Sequence, residues 1–250
     1  MDIALITGGA SGLGAATAAL LQSKGFMVVV ADYNLNAAQQ TAKAWNGVAL
    51  QCDVRQAASV ESVFKQVESQ GGALRVCVNC AGIAPAALLV DKESKAVPLA
   101  HFTQVIDVNL VGTFNVMRVA AATMARSQPS ASGERGVIIN TASVAAFEGQ
   151  MGQVAYSASK GGVVAMTLPA ARELARYGIR VMTIAPGLMD TPMMAGLPQK
   201  VQDSLKTQVP FPPRFGKPEE FARLALHIVE NPLLNGTVIR LDGALRLPPR

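Results

Sequence analysis

The sequence predicts a single α/β domain, a doubly wound parallel sheet of seven strands with helices on both faces. Three observations predict it. Short apolar, β-branched runs alternate with helical patterns nearly throughout the chain. Those runs are apolar on consecutive positions, as strands covered on both faces require. Alternation of strand and helix demands right-handed crossovers, which lay the strands parallel. With 250 residues, half of them apolar, the chain can build one large core. No internal repeat or domain boundary divides residues 1–250.

The first strand is predicted at residues 3–7. Directly after it comes Thr7-Gly8-Gly9-Ala10-Ser11-Gly12-Leu13-Gly14, whose glycines permit a tight turn and close backbone approach to phosphate. The helix predicted at 13–24 offers free N–H groups and its positive dipole end to a pyrophosphate. A glycine cluster alone is weak. One that follows a strand and opens a helix within a βαβ unit is a dinucleotide signature of the Rossmann kind. Gly25 is the expected cap of that helix. A second strand at 26–31 leads to Asp32, placed to accept hydrogen bonds from both hydroxyls of an adenosine ribose. A carboxylate there repels a 2′-phosphate, and Tyr33, Asn34 and Ser11 bring no cation to offset it. NAD is therefore predicted over NADP.

A helix at 35–46, a strand at 48–52, a helix at 60–69 and a strand at 74–79 follow. Asp53 and Val54 are placed to flank the adenine, Asp53 through its side chain and Val54 through its backbone. Asn79-Cys80-Ala81-Gly82 ends the fourth strand with small residues, as backbone beside a ribose requires. The three cysteines are Cys52, Cys77 and Cys80. Cys77 and Cys80 have the spacing of a metal or redox pair. Residues three apart along a strand point to opposite faces, however, and cannot share one ion. They are read as structural thiols, and no metal is expected.

A long helix at 102–125, a polar turn-rich loop at 127–136 and a strand at 137–141 bring the chain to Ser143. Tyr156 and Lys160 then stand at i and i+4 of a predicted helix and share a face. A free phenol has a pKa near 10. An ammonium about 6 Å away, at an effective dielectric near 20, would stabilise the phenolate by roughly 3 kcal/mol, about two pKa units. Tyr156 would then act as a base for alcohol oxidation or an acid for ketone reduction. Ser143 would donate to the substrate oxygen, so Ser143 and Tyr156 are the expected substrate contacts. Lys160 would also reach the nicotinamide ribose.

Strands at 179–185 and 238–241 complete the sheet. Between them, residues 190–213 carry Pro192, Pro198, Pro210, Pro212 and Pro213 around a helical pattern at 199–208. So long a connection is predicted to be functional, a substrate lid over about 188–213. Its apolar residues are Met189, Met193, Met194, Leu197, Phe211 and Phe215. His101 and His227 stand in no motif and are read as structural or exposed.

The glycine turn, the Asn79-Cys80-Ala81-Gly82 variant of an Asn-Asn-Ala-Gly motif, Ser143 and the Tyr156/Lys160 pair together resemble the short-chain dehydrogenase/reductase family. The resemblance covers essentially the whole chain. Residues 136–151, 181–189, 208–217 and 230–247 are similar to the branch of that family acting on 3-hydroxyacyl-CoA. The family pattern implies that Asn109, rather than Asn115, is a fourth catalytic residue holding a helix distortion. It assigns Ser11, Leu13, Asp32, Asp53, Val54, Cys80, Met189 and Thr191 to NAD, with Pro186, Gly187 and Thr191 embracing the nicotinamide amide. Gly8, Gly12, Gly14, Asn79, Ala81 and Gly82 complete the expected cofactor contacts with Tyr156 and Lys160. Pro169 should kink the helix beyond Tyr156 and Lys160. The resemblance further implies an acyl-CoA thioester substrate, a role in fatty acid metabolism, and a homotetramer joined through the helices after the Asn79 and Ser143 strands. A broad-specificity alcohol or hydroxysteroid dehydrogenase is the alternative. A nicotinamide sensor without chemistry is a third reading, disfavoured by the intact Ser143, Tyr156 and Lys160.

The formal charge of +5 and pI near 9.3 suit a polyanionic small ligand, or equally a scatter of surface Lys and Arg. No basic run interleaves with aromatics, so nucleic acid is not an expected partner. No uninterrupted apolar run approaches a membrane span, and no membrane association is expected. The sequence given enters a strand with no basic leader. A cytoplasmic location is therefore expected over secretion, or the mitochondrial matrix in a eukaryote.

Overall fold

The computed structural model describes the chain apart from residues 46, 197, 198 and 250 and the side chain of Val201. Its strands are β1 (Asp2–Thr7), β2 (Met27–Asp32), β3 (Val48–Gln51), β4 (Ala73–Asn79), β5 (Gly136–Thr141), β6 (Ile179–Pro186) and β7 (Val238–Leu241). All pair parallel, in the order β3-β2-β1-β4-β5-β6-β7. Each predicted strand is present, with ends displaced by no more than one residue.

Alternation along the strands explains the two helical layers. Ile3, Leu5, Val29, Cys77, Ile138 and Val181 face α3 (Ala57–Ser69), α5 (Gly112–Arg126) and the end of α6 (Val154–Leu174). Ala4, Ile6, Val28, Val78, Ile139 and Ile184 face α1 (Gly12–Ser23), α2 (Leu35–Lys43) and α9 (Pro218–Glu230). Both faces are apolar, so no strand shows the in-and-out polarity of a half-solvated sheet. Cys77 belongs to the first layer and Cys80 packs against the second, as strand geometry requires.

Helix α1 ends as predicted. Gly25 has φ +87°, its N–H donates to the Gln22 carbonyl and the Phe26 N–H to that of Leu21, a Schellman closure. The predicted long helix is interrupted. It comprises α4 (Leu99–Ile106), a π-helical turn at Asp107–Val111 and α5. Leu99–Arg126 is long and apolar enough by length and composition to cross a membrane, but half of its apolar window is buried inside the domain. That burial marks it as a core helix. Pro169 lies inside α6 without ending it.

The predicted lid contains two short helices, α7 (Pro192–Ala195) and α8 (Gln199–Lys206). Its expected apolar lining is only partly present. Met189, Met193 and Met194 line the cleft described below. Phe215 is instead buried in the domain, Phe211 is 79% exposed, and Leu197 lies outside the described residues. A single apolar residue in an irregular loop has no periodicity to say which way it faces.

Candidate active site

The strand order reverses between β1 and β4, and a cleft of about 840 Å³ opens at the carboxyl edge of the sheet there. Ligand sites of open α/β sheets form at such reversals, where the loops leaving two neighbouring strands diverge to opposite faces.

The glycine turn forms one end. Gly8 has φ +64°, and a Cβ on it would stand 2.5 Å from the Ala81 nitrogen. A Cβ on Gly14 would overlap the Gly8 carbonyl oxygen, so only glycine lets α1 start this close to β1. Gly8, Ser11, Gly12, Leu13 and Gly14 all line the cleft. Ser11 N-caps α1 without using its side chain on the helix.

Asp32 lies on the wall and also secures the turn. Its Oδ2 accepts from the Ala10 N–H at 3.1 Å and its Oδ1 from the Asn34 N–H at 3.0 Å. Asp53 and Val54 line the same end. Tyr33, Asn34 and Ser11 bring no cation to Asp32, and the cation at this end of the wall comes from further along the chain. Arg55 is on the wall, its Nε and Nη2 donating to the two Asp53 carboxylate oxygens at 2.9 and 2.7 Å. The pairing holds the Asp53 carboxyl below its ordinary range, and leaves that carboxylate spare lone pairs for a ligand. Asn115 is not catalytic in position. Its Nδ2 donates to the Val54 carbonyl at 2.8 Å and fixes that corner of the cleft.

Cys80, Ala81 and Gly82 line the cleft, but Asn79 does not. Its Nδ2 donates to Asn140 Oδ1 at 2.8 Å, and its Oδ1 accepts from Thr7 Oγ1 at 3.2 Å. Asn79 therefore ties β1, β4 and β5 together below the site. Its side-chain amide is engaged within the sheet. The residue is the last of β4, and strand alternation points its side chain into the sheet's own polar seam.

Ser143 caps a 3-10 turn at Val144–Ala146, its Oγ accepting from the Ala145 N–H at 3.1 Å. The same hydroxyl lies toward the Tyr156 phenol and favours its ionised form. Lys160 is buried; its Nζ donates to the Thr141 carbonyl at 2.8 Å and lies 5.8 Å from the centre of the Tyr156 ring. Ser143, Tyr156 and Lys160 share the cleft wall. The expected acidification of the phenol by the ammonium is not what dominates. Burial raises the Tyr156 pKa, with Ser143 opposing it, and burial pushes Lys160 down to about 8. Both groups lose hydration on entering the cleft, and desolvation favours the neutral form of each.

Asn109 sits in the π turn, fully buried and off the cleft wall. Its Oδ1 accepts from the Ile83 N–H at 2.9 Å, and its Nδ2 donates to the Ile83 carbonyl at 2.9 Å and to Ser159 Oγ at 3.1 Å. Ser159 Oγ in turn donates to the Tyr156 carbonyl at 2.7 Å. Asn109 thus locks the loop after β4 to the helix of Tyr156 and Lys160. The helix distortion is present; the residue's place is that of a brace.

Pro186, Gly187, Met189 and Thr191 complete the wall from the β6 side. A Cβ on Gly187 would stand 2.9 Å from the Asp242 Cα, so glycine is needed for the chain to pass there. Gln150, Gln153 and Leu247 also line the cleft and were not foreseen. The two glutamines sit between Ser143 and Tyr156, which was a usable signal. Leu247 gave none.

A nicotinamide dinucleotide fits these residues. The glycine cradle admits backbone-close phosphates, Asp32 offers ribose acceptors, and Lys160 and Tyr156 stand at the opposite end of one continuous cleft.

Residues 2–202 match the short chain dehydrogenase family. The chain is 53% identical to 3-hydroxyacyl-CoA dehydrogenase type-2 of Homo sapiens over 99% of its length and 96% of that protein. It is 50% identical to the Drosophila melanogaster protein of that name, over 99% and 98%. It is 35% identical to ipsdienol dehydrogenase of Ips pini, over 98% and 97%. The crystal structure of 3-hydroxyacyl-CoA dehydrogenase type-2 from Mycobacterium avium superposes with a TM-score of 0.94 at 39% identity, covering 100% of this chain and 97% of that one.

Proposed function

The chain belongs to the short chain dehydrogenase family, and we propose that it interconverts 3-hydroxyacyl-CoA and 3-ketoacyl-CoA with NAD. The observation that carries this reading is the half-identity, over nearly full length, to enzymes of that name in a chain whose Ser143, Tyr156 and Lys160 meet on one cleft wall.

Bound in the cleft, the oxidised dinucleotide supplies a hydride acceptor and a positive charge. Tyr156 takes the substrate hydroxyl proton in oxidation and returns it in reduction. A half-buried phenol whose pKa is raised by desolvation is ready to donate, which suits the reductive direction. Ser143 donates to the substrate oxygen, where charge develops as the carbonyl and alkoxide interchange. Lys160, lowered to about 8, exchanges its proton near neutral pH and holds the floor of the site through Thr141. Asn109 keeps Ile83 and the Tyr156 backbone in register through Ser159.

NAD rather than NADP is supported by Asp32 on the wall and by Asp53, which engages the Arg55 guanidinium that would otherwise attract a 2′-phosphate. A homotetramer is supported by apolar residues left in solvent on two helices. Leu99, Val111 and Phe114 stand out from α4, the π turn and α5, and Val154 and Leu168 from α6.

Tyr156→Phe removes the proton donor and keeps the ring. Turnover of acetoacetyl-CoA with NADH should fall by roughly a thousandfold or more. NADH affinity, read by its fluorescence on binding, should stay within about twofold of the parent. Turnover preserved in that variant rules out the assignment. The relation to ipsdienol dehydrogenase favours one second reading, a less selective alcohol dehydrogenase. Comparing acetoacetyl-CoA with a free keto ester and a ketosteroid separates the two.

A further inference from the structure

After β7 the chain turns at Gly243 and lays residues 245–249 along the loop that joins the Ser143 turn to α6. Backbone ties hold it there. Gln150 Nε2 donates to the Pro248 carbonyl at 3.2 Å, and the Met151 N–H donates to the Pro249 carbonyl at 3.0 Å. Charged ties hold its base. Arg240 donates to both Glu148 carboxylate oxygens at 2.8 and 3.0 Å, to Asp242 at 2.7 Å and to the Leu245 carbonyl at 3.0 Å. Arg246 joins the same group, 3.2 Å from Glu148 and 3.3 Å from Asp242. A bidentate arginine bridging two carboxylates and a carbonyl fixes geometry more strictly than a lone surface pair.

The clasp delivers Leu247 to the cleft wall, half-buried, together with Gln150 and Gln153. Among the described residues, the charged groups on that wall are Asp32, Asp53 and Arg55 at the nucleotide end, and Lys160 at the reaction centre. The part reached by the tail and by α7 is uncharged and includes Ala86, Met193 and Met194. Such a lining brings no cation to a phosphate, and its methionine and leucine side chains suit alkyl groups, whose burial multiplies affinity about fourfold per methylene.

We propose that Leu247, presented by the clasped C-terminal tail, is a specificity-determining residue that forms the end wall against the substrate's acyl chain. The inference rests on the 3-hydroxyacyl thioester reading for the identity of that chain. The wall is built by residues far apart in sequence. Its position depends on the ties through Glu148, Gln150 and Met151, so the tail also fixes the loop entering the Tyr156 helix.

The test compares kcat/KM for acetoacetyl-CoA with that for its medium- and long-chain 3-ketoacyl-CoA homologues, with NADH, in the parent, Leu247→Trp and Leu247→Ala. Fluorescence titration with NADH and thermal melting verify that each variant is folded and binds cofactor. The long-to-short ratio should fall about tenfold in Leu247→Trp and rise about fourfold, one methylene's worth, in Leu247→Ala. A ratio within about twofold of the parent in both variants overturns the proposal. A parent protein that reduces no thioester overturns the substrate reading instead. The end wall is then read by the same ratio on straight-chain ketones of graded length, with the same outcomes deciding it.

Discussion

Lys160 shows how one side chain can be placed by sequence and tuned by fold. Its spacing from Tyr156 set it on the right face of a helix, but the charge logic drawn from that spacing assumed a solvent-like reference for both groups. Burial reverses the emphasis: the phenol rises and the amine falls from 10.5 to about 8. The consequence for stability has a definite sign. A lysine whose folded pKa lies below its unfolded one carries the full cost of burying charge below pH about 8. That cost is relieved as pH rises toward 10.5, because the unfolded chain then binds more protons than the folded one. Lys160→Met removes the titration and leaves the Thr141 carbonyl unpaired at every pH. The stability of this variant relative to the parent should therefore be greatest near pH 7 and decline by up to about 3 kcal/mol on going to pH about 10. Thermal or urea unfolding at several pH values measures it, and a pH-independent difference would falsify the assignment of a depressed Lys160. Asp53 and Arg55 teach the same lesson. They are two apart in sequence, yet the bidentate pair that decides the charge at the nucleotide end was invisible until backbone geometry set both side chains on one wall.

At the scale of elements, the strands and α1 were legible because their signals are local. Consecutive β-branched residues, a glycine turn and a capping glycine each depend on a few neighbouring positions. The glycine turn is also where an element is least tolerant of change. Gly14→Ala would drive a methyl into the Gly8 carbonyl and push α1 from β1. A destabilisation of about 1–3 kcal/mol is expected from such overpacking. NADH affinity should drop in parallel, since the helix N-terminus that meets the phosphates is displaced. Chemical denaturation and NADH titration report both, and a Gly14→Ala protein with parental values in each would show the turn to be more compliant than drawn. The π turn at Asp107–Val111 was anticipated only through family resemblance. Its composition is ordinary for a helix. What holds it is the Asn109 amide bonded to Ile83 and Ser159, partners far away along the chain.

At the scale of the whole molecule, several large apolar side chains stand in solvent. On α6, Val154 and Leu168 lie on one stripe with the exposed small residues Ala158 and Ala165, and Phe114 stands half in solvent on α5. The apolar stripe on α6 and the exposed Phe114 on α5 support the proposed pairing with copies of the same chain. If the proposed homotetramer forms, Phe114→Glu, on the outer face of its helix, should leave the monomer fold intact and shift sedimentation velocity profiles from that tetramer to a smaller species. A tetramer that persists in this variant would remove α5 from the interface. The long α4–α5 helix also belongs to this scale. Composition alone would let it span a bilayer, whereas its packing on β4 and β5 makes it a wall of the core.

The sequence by itself determined the parallel sheet, the glycine cradle, Asp32 at the second strand's end, and Ser143, Tyr156 and Lys160 as a group. Each of these is written in residues near one another or in a period the backbone imposes. Only the tertiary structure decided that Asn79 belongs to the sheet's polar seam, that Arg55 is held by Asp53, that Phe215 is core and that Leu247 reaches the cleft. The reason is physical. Solvation and hydrogen-bond partnership depend on every atom that surrounds a group, and most of those atoms arrive from distant parts of the chain.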